Sequence, residues 1–540
     1  MSSPEPHRSS RPGGHALVEQ LVAHGVTRAY GVPGESYLAV LDGMHEHGDR
    51  LSFVATRQEG GAALMAAAHG RLTGRPGICM VTRGPGATNA AIGVHVAAQD
   101  ASPMLLLVGQ VPRRERGRRA FQEIDYSVMF GGIAKAVVEI NEPARVPELT
   151  SRALTLATSG EPGPVVVVLP EDVVSGPTSA PVRPVSAVAD AAPRGEDVRL
   201  TVELLESARA PVVVTGRCGW DADTTAAVRD FAERSAVPLV TGLRNQDTVD
   251  PASPMFAGTL GLNTTAGLPE RLGAADLVIL LGSRPDGLTA QALEPALHGA
   301  RVVHVYPGAD DLGVSVAADV AVACSPAAFV AALPERIEPC DERRRWADSL
   351  RSAFHEAHDT VHARDPAAAF MRVFDEQVGS DAIVSCGAGN YTAWPQRFHR
   401  FGVYPSQLAS TSGAMGYGIP AAIAAAFEQP HREVVAFAGD GCFLMTGQEL
   451  ATITQYQLNV LVIVVNNGRY GTIRDHQERV YPGRVSGTDL TNPEFVPLAE
   501  AFGGLAAQVR TPEELAVALT KLRQADGLRL IEIRTDNLPK

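Results

Sequence analysis

Gly439-Asp440-Gly441 closes one apolar run, Val434 to Ala438, and Asn466-Asn467 closes another, Val460 to Val465. Asp440 offers a carboxylate and Asn467, 27 positions on, an amide oxygen. These are ligands for a hard cation such as Mg2+, which keeps oxygen donors and shares phosphate oxygens. The small residues Gly439, Gly441 and Cys442 let backbone N–H groups approach such phosphates. Alone, Gly-Asp-Gly also fits a plain strand-to-helix turn. The asparagine pair at this spacing turns the reading toward a phosphate-bound cation.

For the two side chains to meet, the chain between them must cross over. Gly447 to Leu458 carries Leu450, Ile453, Tyr456 and Gln457 at helical spacing, so the unit reads strand, turn, helix, strand. A right-handed crossover makes the strands parallel neighbours and brings both side chains out at the carboxyl edge of the sheet, where α/β folds bind ligands.

The 540 residues suffice for three or four domains, and 45% hydrophobic with 20% charged residues is a globular composition. The net charge of −13 argues against nucleic acid or an anionic membrane as the main partner, while leaving room for a local basic site. Six cysteines without metal-ligand spacing fit a reduced, cytoplasmic setting. No apolar run is long enough to span a membrane. Residues 1–14, polar and rich in Ser, Pro and Arg, read as a disordered tail. Short β-branched runs between helical patterns predict an α/β protein of three doubly wound domains with mostly parallel sheets, at 15–175, 195–335 and 366–540. Residues 176–194 and 336–365 read as linkers, the second passing through a helix.

The motifs together resemble the thiamine-diphosphate enzymes, in particular the acetolactate synthase group, from about His15 to the C-terminus. The resemblance implies pyrimidine-binding, central and diphosphate-binding domains, thiamine diphosphate as cofactor, and Mg2+ held by Asp440, Asn467 and the backbone carbonyl of Arg469. It places Tyr470 and Gly471 beside that metal site. Arg57-Gln58-Glu59-Gly60-Gly61-Ala62 opens a helix of small residues. A carboxylate there is an ordinary partner of the helix dipole. The resemblance instead makes Glu59 the group that bonds the cofactor's aminopyrimidine N1′ and so allows the thiazolium carbon to lose its proton. In Ser412-Gly413-Ala414-Met415-Gly416, Gly413 would offer a carbonyl to the 4′-amino group and Met415 would wedge between the cofactor's rings. Asn390, in the glycine-containing loop Gly387 to Tyr391, is carried over to the diphosphate. Thr82 to Asn89, Gly109 to Pro112 and Gly163 to Val173 match the group's first domain. Phe121 and Gln122 are carried over to the substrate side.

The chain also departs from the group. Glu171 stands where the group has a lysine. In Arg284-Pro285-Asp286-Gly287-Leu288, the arginine that grips the second substrate's carboxylate is replaced by Leu288. Losing such a charge-assisted pair, worth about 1.5–3 kcal/mol, weakens an acceptor acid about ten- to hundredfold and favours a neutral acceptor or another acid-binding group. His476 takes the place of a tryptophan, and is either a surface histidine or a hydrogen-bonding or proton-relaying wall of the acceptor pocket. The group binds FAD in its central domain. Here the glycine turn is Thr215-Gly216-Arg217-Cys218-Gly219, and Tyr306 occupies the acidic position, so FAD stays open.

The expected activity is that of a C–C lyase and carboligase, in which a 2-oxo acid is decarboxylated and its carbanion-enamine passes to an acceptor carbonyl. The partners are then small molecules, and the resemblance implies a homodimer or homotetramer with active sites between subunits. A 2-oxo acid decarboxylase releasing an aldehyde is the alternative, and the absence of a His-His pair counts against its pyruvate decarboxylase branch. A silent partner subunit is at odds with intact Glu59, Asp440 and Asn467.

Overall fold

A computed structural model describes residues 10–186 and 188–535. The chain divides into two compact units, the first ending at Val188 and the second beginning at Ala189. Three six-stranded sheets, each wholly parallel, form their frames, one in the first unit and two in the second.

The first sheet comprises β1 (Arg28–Gly31), β2 (Ser52–Ala55), β3 (Gly77–Val81), β4 (Met104–Gln110), β5 (Ala136–Glu139) and β6 (Pro164–Pro170). Their order is β2-β1-β3-β4-β6-β5. Central strands β3, β4 and β6 are buried along their whole length, as the continuous apolar runs demanded. After β2 the chain enters the helix Glu59–Thr73, whose N-cap Gln58 accepts the Gly61 N–H at 3.1 Å. Its small residues permit close approach: a Cβ on Gly93 of the helix Pro85–Gln99 would lie 2.4 Å from Ala63. The tail expected over 1–14 is shorter than that. Arg11–Pro12 pair antiparallel with Pro177–Thr178, Arg11 binds Glu19 at 2.6 Å, and a helix starts at Gly13, while Met1 to Ser9 lie outside the described residues.

The second sheet comprises β7 (Pro211–Thr215), β8 (Leu239–Thr241), β9 (Phe256–Thr259), β10 (Leu277–Leu281), β11 (Arg301–Val305) and β12 (Val320–Val322), ordered β9-β8-β7-β10-β11-β12. That is the order of dinucleotide-binding folds. The charged stretch read as the start of a linker forms the helix Asp341–Arg364, which packs on this sheet. Arg343 is wholly buried, and its guanidinium donates to the carbonyls of Leu205, Ala208 and Ser235. These carbonyls lie at or beside the ends of the helices Gly195–Ser207 and Ala222–Ser235, where backbone acceptors lack intrahelical partners. Trp346 Nε1 donates to Pro211 O at 2.8 Å.

The third sheet comprises β13 (Ile383–Cys386), β14 (Gln407–Ala409), β15 (Val434–Gly439), β16 (Val460–Asn466), β17 (Leu505–Val509) and β18 (Leu528–Arg534), ordered β14-β13-β15-β16-β18-β17. β15 and β16 are parallel neighbours, with Gly439 opposite Val465. The expected crossover helix is split into a 3-10 turn, Gly447–Glu449, and a short helix, Leu450–Gln455. Gln457, in the left-handed region, leads out of it. Edge strand β14 is covered by the loops after β7 and β8. The Asp247 carboxylate accepts the N–H groups of Ser406 and Gln407, both at 3.0 Å, while Arg217 and Arg244 donate to the carbonyls of Ala409 and Ser410 at 2.8 and 2.5 Å.

Candidate active site

The carboxyl ends of β15 and β16 open on a cavity of about 510 Å3. Asn390, Gly413, Met415, Gly439, Asp440, Gly441, Cys442, Asn467, Arg469, Tyr470 and Gly471 all line it. Asp440 is 2% exposed, and burial pushes its carboxyl above the ordinary value of 3.8, against the hydrogen bonds from Asn492, Gly441 and Gly468. Asn492 Nδ2 donates to Asp440 Oδ2 at 2.7 Å and to Asn466 Oδ1 at 3.1 Å, while the buried Asn492 Oδ1 has no partner. Asn466 is itself tied down, donating to Glu532 at 2.7 Å and accepting the Gly468 N–H. The second asparagine of the motif is left at the cavity: Asn467 Oδ1 accepts the Arg469 N–H at 3.2 Å.

These residues fit a hard cation and a diphosphate. A buried carboxylate whose charge is unfavourable without a counterion, flanked by amide oxygens and backbone carbonyls, is a partial oxygen shell. Among the described residues no group of three His, Cys, Asp or Glu side chains forms a protein-only metal site, so remaining ligands would come from a bound phosphate or water. The glycines leave no room for side chains: a Cβ on Gly441 would sit 2.5 Å from Tyr470, and one on Gly471 would sit 2.8 Å from Asn467 Nδ2. Cys442 Sγ is held by the Tyr391 hydroxyl and the Gly416 N–H, both at 3.1 Å. Asn390 donates to Asp475 at 2.6 Å and accepts from Thr472 at 2.7 Å. Asn492, Asp475 and Tyr391 were not singled out by sequence, since each joins the site through contacts with residues distant in the chain.

In the first unit, Glu59 stands at the first position of its helix. Asn89 Nδ2, from the Thr82 to Asn89 segment, donates to Glu59 Oε2 at 2.9 Å. Gly86 lies beside the second oxygen: a Cβ there would be in ordinary contact with Glu59 Oε1, at 3.5 Å. Burial first, and the Glu59 charge second, push the Cys79 thiol far above its usual range, so no thiolate competes with the carboxylate. Gly84, at φ +65°, abuts Gln122: a Cβ there would lie 2.8 Å from Gln122 Cβ, and the Gly84 N–H donates to the Tyr126 hydroxyl at 2.9 Å. Gln122, also at positive φ, is therefore packed on the turn that opens the helix carrying Asn89. Phe121 beside it is 78% exposed.

Three departures take structural form. Glu171, in the lysine position, is paired with Arg83 at 3.1 Å. Leu288, in the arginine position, is the second residue of the helix Gly287–Leu297, capped by Asp286, which accepts the Leu288 and Thr289 N–H groups at 2.9 and 3.0 Å. His476 lies exposed on the helix Gly471–Val480, beside Arg479 and off the cavity wall.

The central glycine turn is closely packed. A Cβ on Gly216 would lie 2.1 Å from Ser283 Cα, and one on Gly282 2.4 Å from Cys218 O, so these glycines serve contact between the turns after β7 and β10. The next helix begins with an anion already present, Asp221, whose carboxylate accepts the Thr224 N–H at 2.7 Å. Tyr306 is buried, at 2% exposure.

The thiamine pyrophosphate enzyme pattern matches in three parts. Its N-terminal TPP binding domain matches residues 11–129, its central domain 198–333 and its C-terminal TPP binding domain 387–533. The chain is similar to the acetolactate synthase large subunit of Parasynechococcus marenigrum, 31% identical over 541 residues, covering 96% of this chain and 87% of that protein. Against the large subunit of Corynebacterium glutamicum it is 31% identical over 544 residues, covering 96% and 86%. Against the acetolactate synthase isozyme 2 large subunit of Escherichia coli it is 29% identical over 532 residues, covering 97% and 96%.

Proposed function

Since the chain belongs to the thiamine-diphosphate-dependent enzymes, within the acetolactate synthase-like group, we propose that it is a carboligase that decarboxylates a 2-oxo acid and joins the remaining acyl unit to a carbonyl acceptor. The observation that carries the reading is the meeting of Asp440, Asn467 and Arg469 on one glycine-lined cavity, with a buried carboxylate in want of a cation. Bound thiamine diphosphate supplies the nucleophilic carbon and the electron sink that this chemistry requires.

The chain's own residues bind, orient and handle protons. Asp440, Asn467 and the carbonyl of Arg469 hold Mg2+, and Asn492 fixes the Asp440 carboxylate by its 2.7 Å bond. Gly413 and Met415 meet the rings from the cavity wall. Glu59, with Oε2 fixed by Asn89, presents Oε1 to the aminopyrimidine and holds the shared proton there. Gln122 and Phe121 face the substrates. The Arg83–Glu171 pair cancels a charge that a lysine would present, and Leu288 offers none, so the acceptor is read as a neutral carbonyl compound. His476 is read as a surface residue. The residues of the central turn argue against FAD in that crevice. A homodimer or homotetramer, and a reduced cytoplasmic setting, complete the proposal. Among the described residues no cysteine is in a disulfide, and no helix is long and apolar enough to cross a membrane.

The test is purified protein with thiamine diphosphate, Mg2+ and pyruvate, with CO2 and acetolactate followed together. Carboligation predicts CO2 with a coupled product: the adduct of an added neutral aldehyde fits the neutral acceptor, whereas acetolactate, whose acceptor is a second pyruvate, would keep the carboligase and overturn the neutral acceptor. CO2 with free aldehyde alone would overturn the reading in favour of a simple decarboxylase.

A further inference from the structure

A second cavity of about 440 Å3 lies in the same unit, between the edge strand β9, the helix Asp341–Arg364 and the segment Gln396 to Phe401. Four phenylalanines form its apolar wall. Phe256 and Phe354 meet edge to face at 4.9 Å, and Phe398 meets His362 in the same way at 4.9 Å, with Phe401 beside them. Such flat faces, at this volume, suit a planar ring system.

The polar side of the wall sets hydroxyls and amides, from Thr259, Thr264, Thr265, Asn263 and Gln396, beside a cluster of nitrogen bases. His355, His358 and His362 succeed one another at spacings of three and four on one helix face, and the rings of His358 and His362 are 4.0 Å apart. Arg397 and Arg400 add two guanidinium groups, while the ring of His399 is wholly buried behind them and bound to Asp375 at 2.7 Å. No Asp or Glu is among the wall residues. The acids that pair with the arginines, Asp365 at 3.5 Å and Asp250 at 3.0 Å, lie outside the wall. One histidine of the row, His362, keeps an unpartnered, buried ring nitrogen, Nε2. Buried polar atoms without partners mark places where a ligand or water completes the bonding. A metal is not indicated, since no three such groups converge among the described residues. Imidazole and guanidinium groups beside phenylalanine rings, with neutral hydroxyls and amides and no carboxylate in the wall, favour an aromatic acid over a cation or an aliphatic chain.

The two cavities share a six-residue helix, Ala393–Phe398. Tyr391 and Trp394 line the diphosphate cavity, whereas Gln396, Arg397 and Phe398 line the second. Asp365 lines the first cavity and pairs with Arg397, which lines the second. We propose that the histidine-lined cavity is an effector site for a small aromatic carboxylate, coupled to the diphosphate cavity through the helix Ala393–Phe398 and the Asp365–Arg397 pair. A ligand carboxylate that draws Arg397 away from Asp365 changes the first cavity's wall, and linkage makes the effect reciprocal.

Calorimetric and saturation-transfer titrations of the full chain with 2-naphthoate, with its neutral amide and with hexanoate test this without any turnover assay. Expected are a 2-naphthoate Kd of about 1 mM or tighter and at least tenfold weaker binding of the other two probes. At saturating 2-naphthoate, the Kd for thiamine diphosphate with Mg2+ shifts at least threefold. Ala357→Phe, which fills the cavity from its wall, and Arg397→Gln each weaken 2-naphthoate at least tenfold and remove that shift. No saturable binding, equal binding of the amide, or binding indifferent to both variants would each overturn the proposal. So would 2-naphthoate binding without any shift in cofactor affinity.

Discussion

The first and third sheets repeat one frame. In each, the strands run second, first, third, fourth, sixth, fifth, with no sequence repeat between them. Their carboxyl ends are furnished differently. In the third sheet the central strands β15 and β16 end on Asp440 and on Asn466-Asn467, which Asn492 knits into one oxygen-rich cluster. The corresponding strands of the first sheet, β3 and β4, end on Thr82-Arg83-Gly84 and on Gln110, and its carboxylate instead follows the edge strand β2, where one amide, Asn89, supports it. The edge strand β14 of the third sheet leads to Gly413 and Met415, which carry no charge. A shared topology therefore fixes where ligands can be met, and the residues at strand ends decide whether a site handles a proton or a cation.

Substitutions that separate the two roles test this contrast, beginning with the largest effect. Glu59→Gln should lower kcat by about 10²- to 10⁴-fold, while calorimetric affinity for thiamine diphosphate with Mg2+ changes far less. Comparable losses of turnover and affinity would make Glu59 a binding group instead. Asp440→Asn should do the reverse, weakening Mg2+-dependent cofactor binding by more than the roughly 10- to 100-fold typical of supporting residues. Asn492→Ala should fall within that supporting range, read from Mg2+ titrations of intrinsic fluorescence. Asn89→Ala removes a hydrogen bond to a charged group worth about 1.5–3 kcal/mol and should reduce kcat about tenfold with Mg2+ affinity unchanged.

The smallest effect is on stability. The Asp440 carboxyl lies above its ordinary value of 3.8, so the folded chain binds that proton more tightly than the unfolded one. Its contribution is present below 3.8 and is lost as pH rises through the raised value. Without Mg2+, Asp440→Asn should therefore raise Tm above that raised value, and Mg2+ should stabilise only the parent protein. Mg2+ affinity of the parent should fall as pH drops through the same window. A metal-free parent as stable as the variant would mean that Asp440 carries no such strain.

What the sequence made legible follows from where information is local. Apolar runs ending in Gly-Asp-Gly and Asn-Asn locate the cavity because strand ends are read along the chain. Asn492 escaped because it belongs to no motif and acts only once the fold brings it 2.7 Å from Asp440. The stretch around Arg343 read as linker because its residues are charged, and charge is ordinarily exposed. Three backbone carbonyls of two other helices make its burial tolerable, and no local pattern announces them. His476 shows the converse: a motif aligned it with a pocket residue, and the helix carrying it turns that side chain to solvent.

The cover over β14 has a consequence for how the protein can be cut. Asp247, Arg217 and Arg244 occupy backbone donors and acceptors that an edge strand would otherwise offer to another chain. A fragment that begins at residue 366 keeps the wall of the diphosphate cavity apart from Asp365 but loses all three side chains. Its bare strand would then recruit its own copies edge to edge, so the central domain serves the third as a built-in guard against self-association.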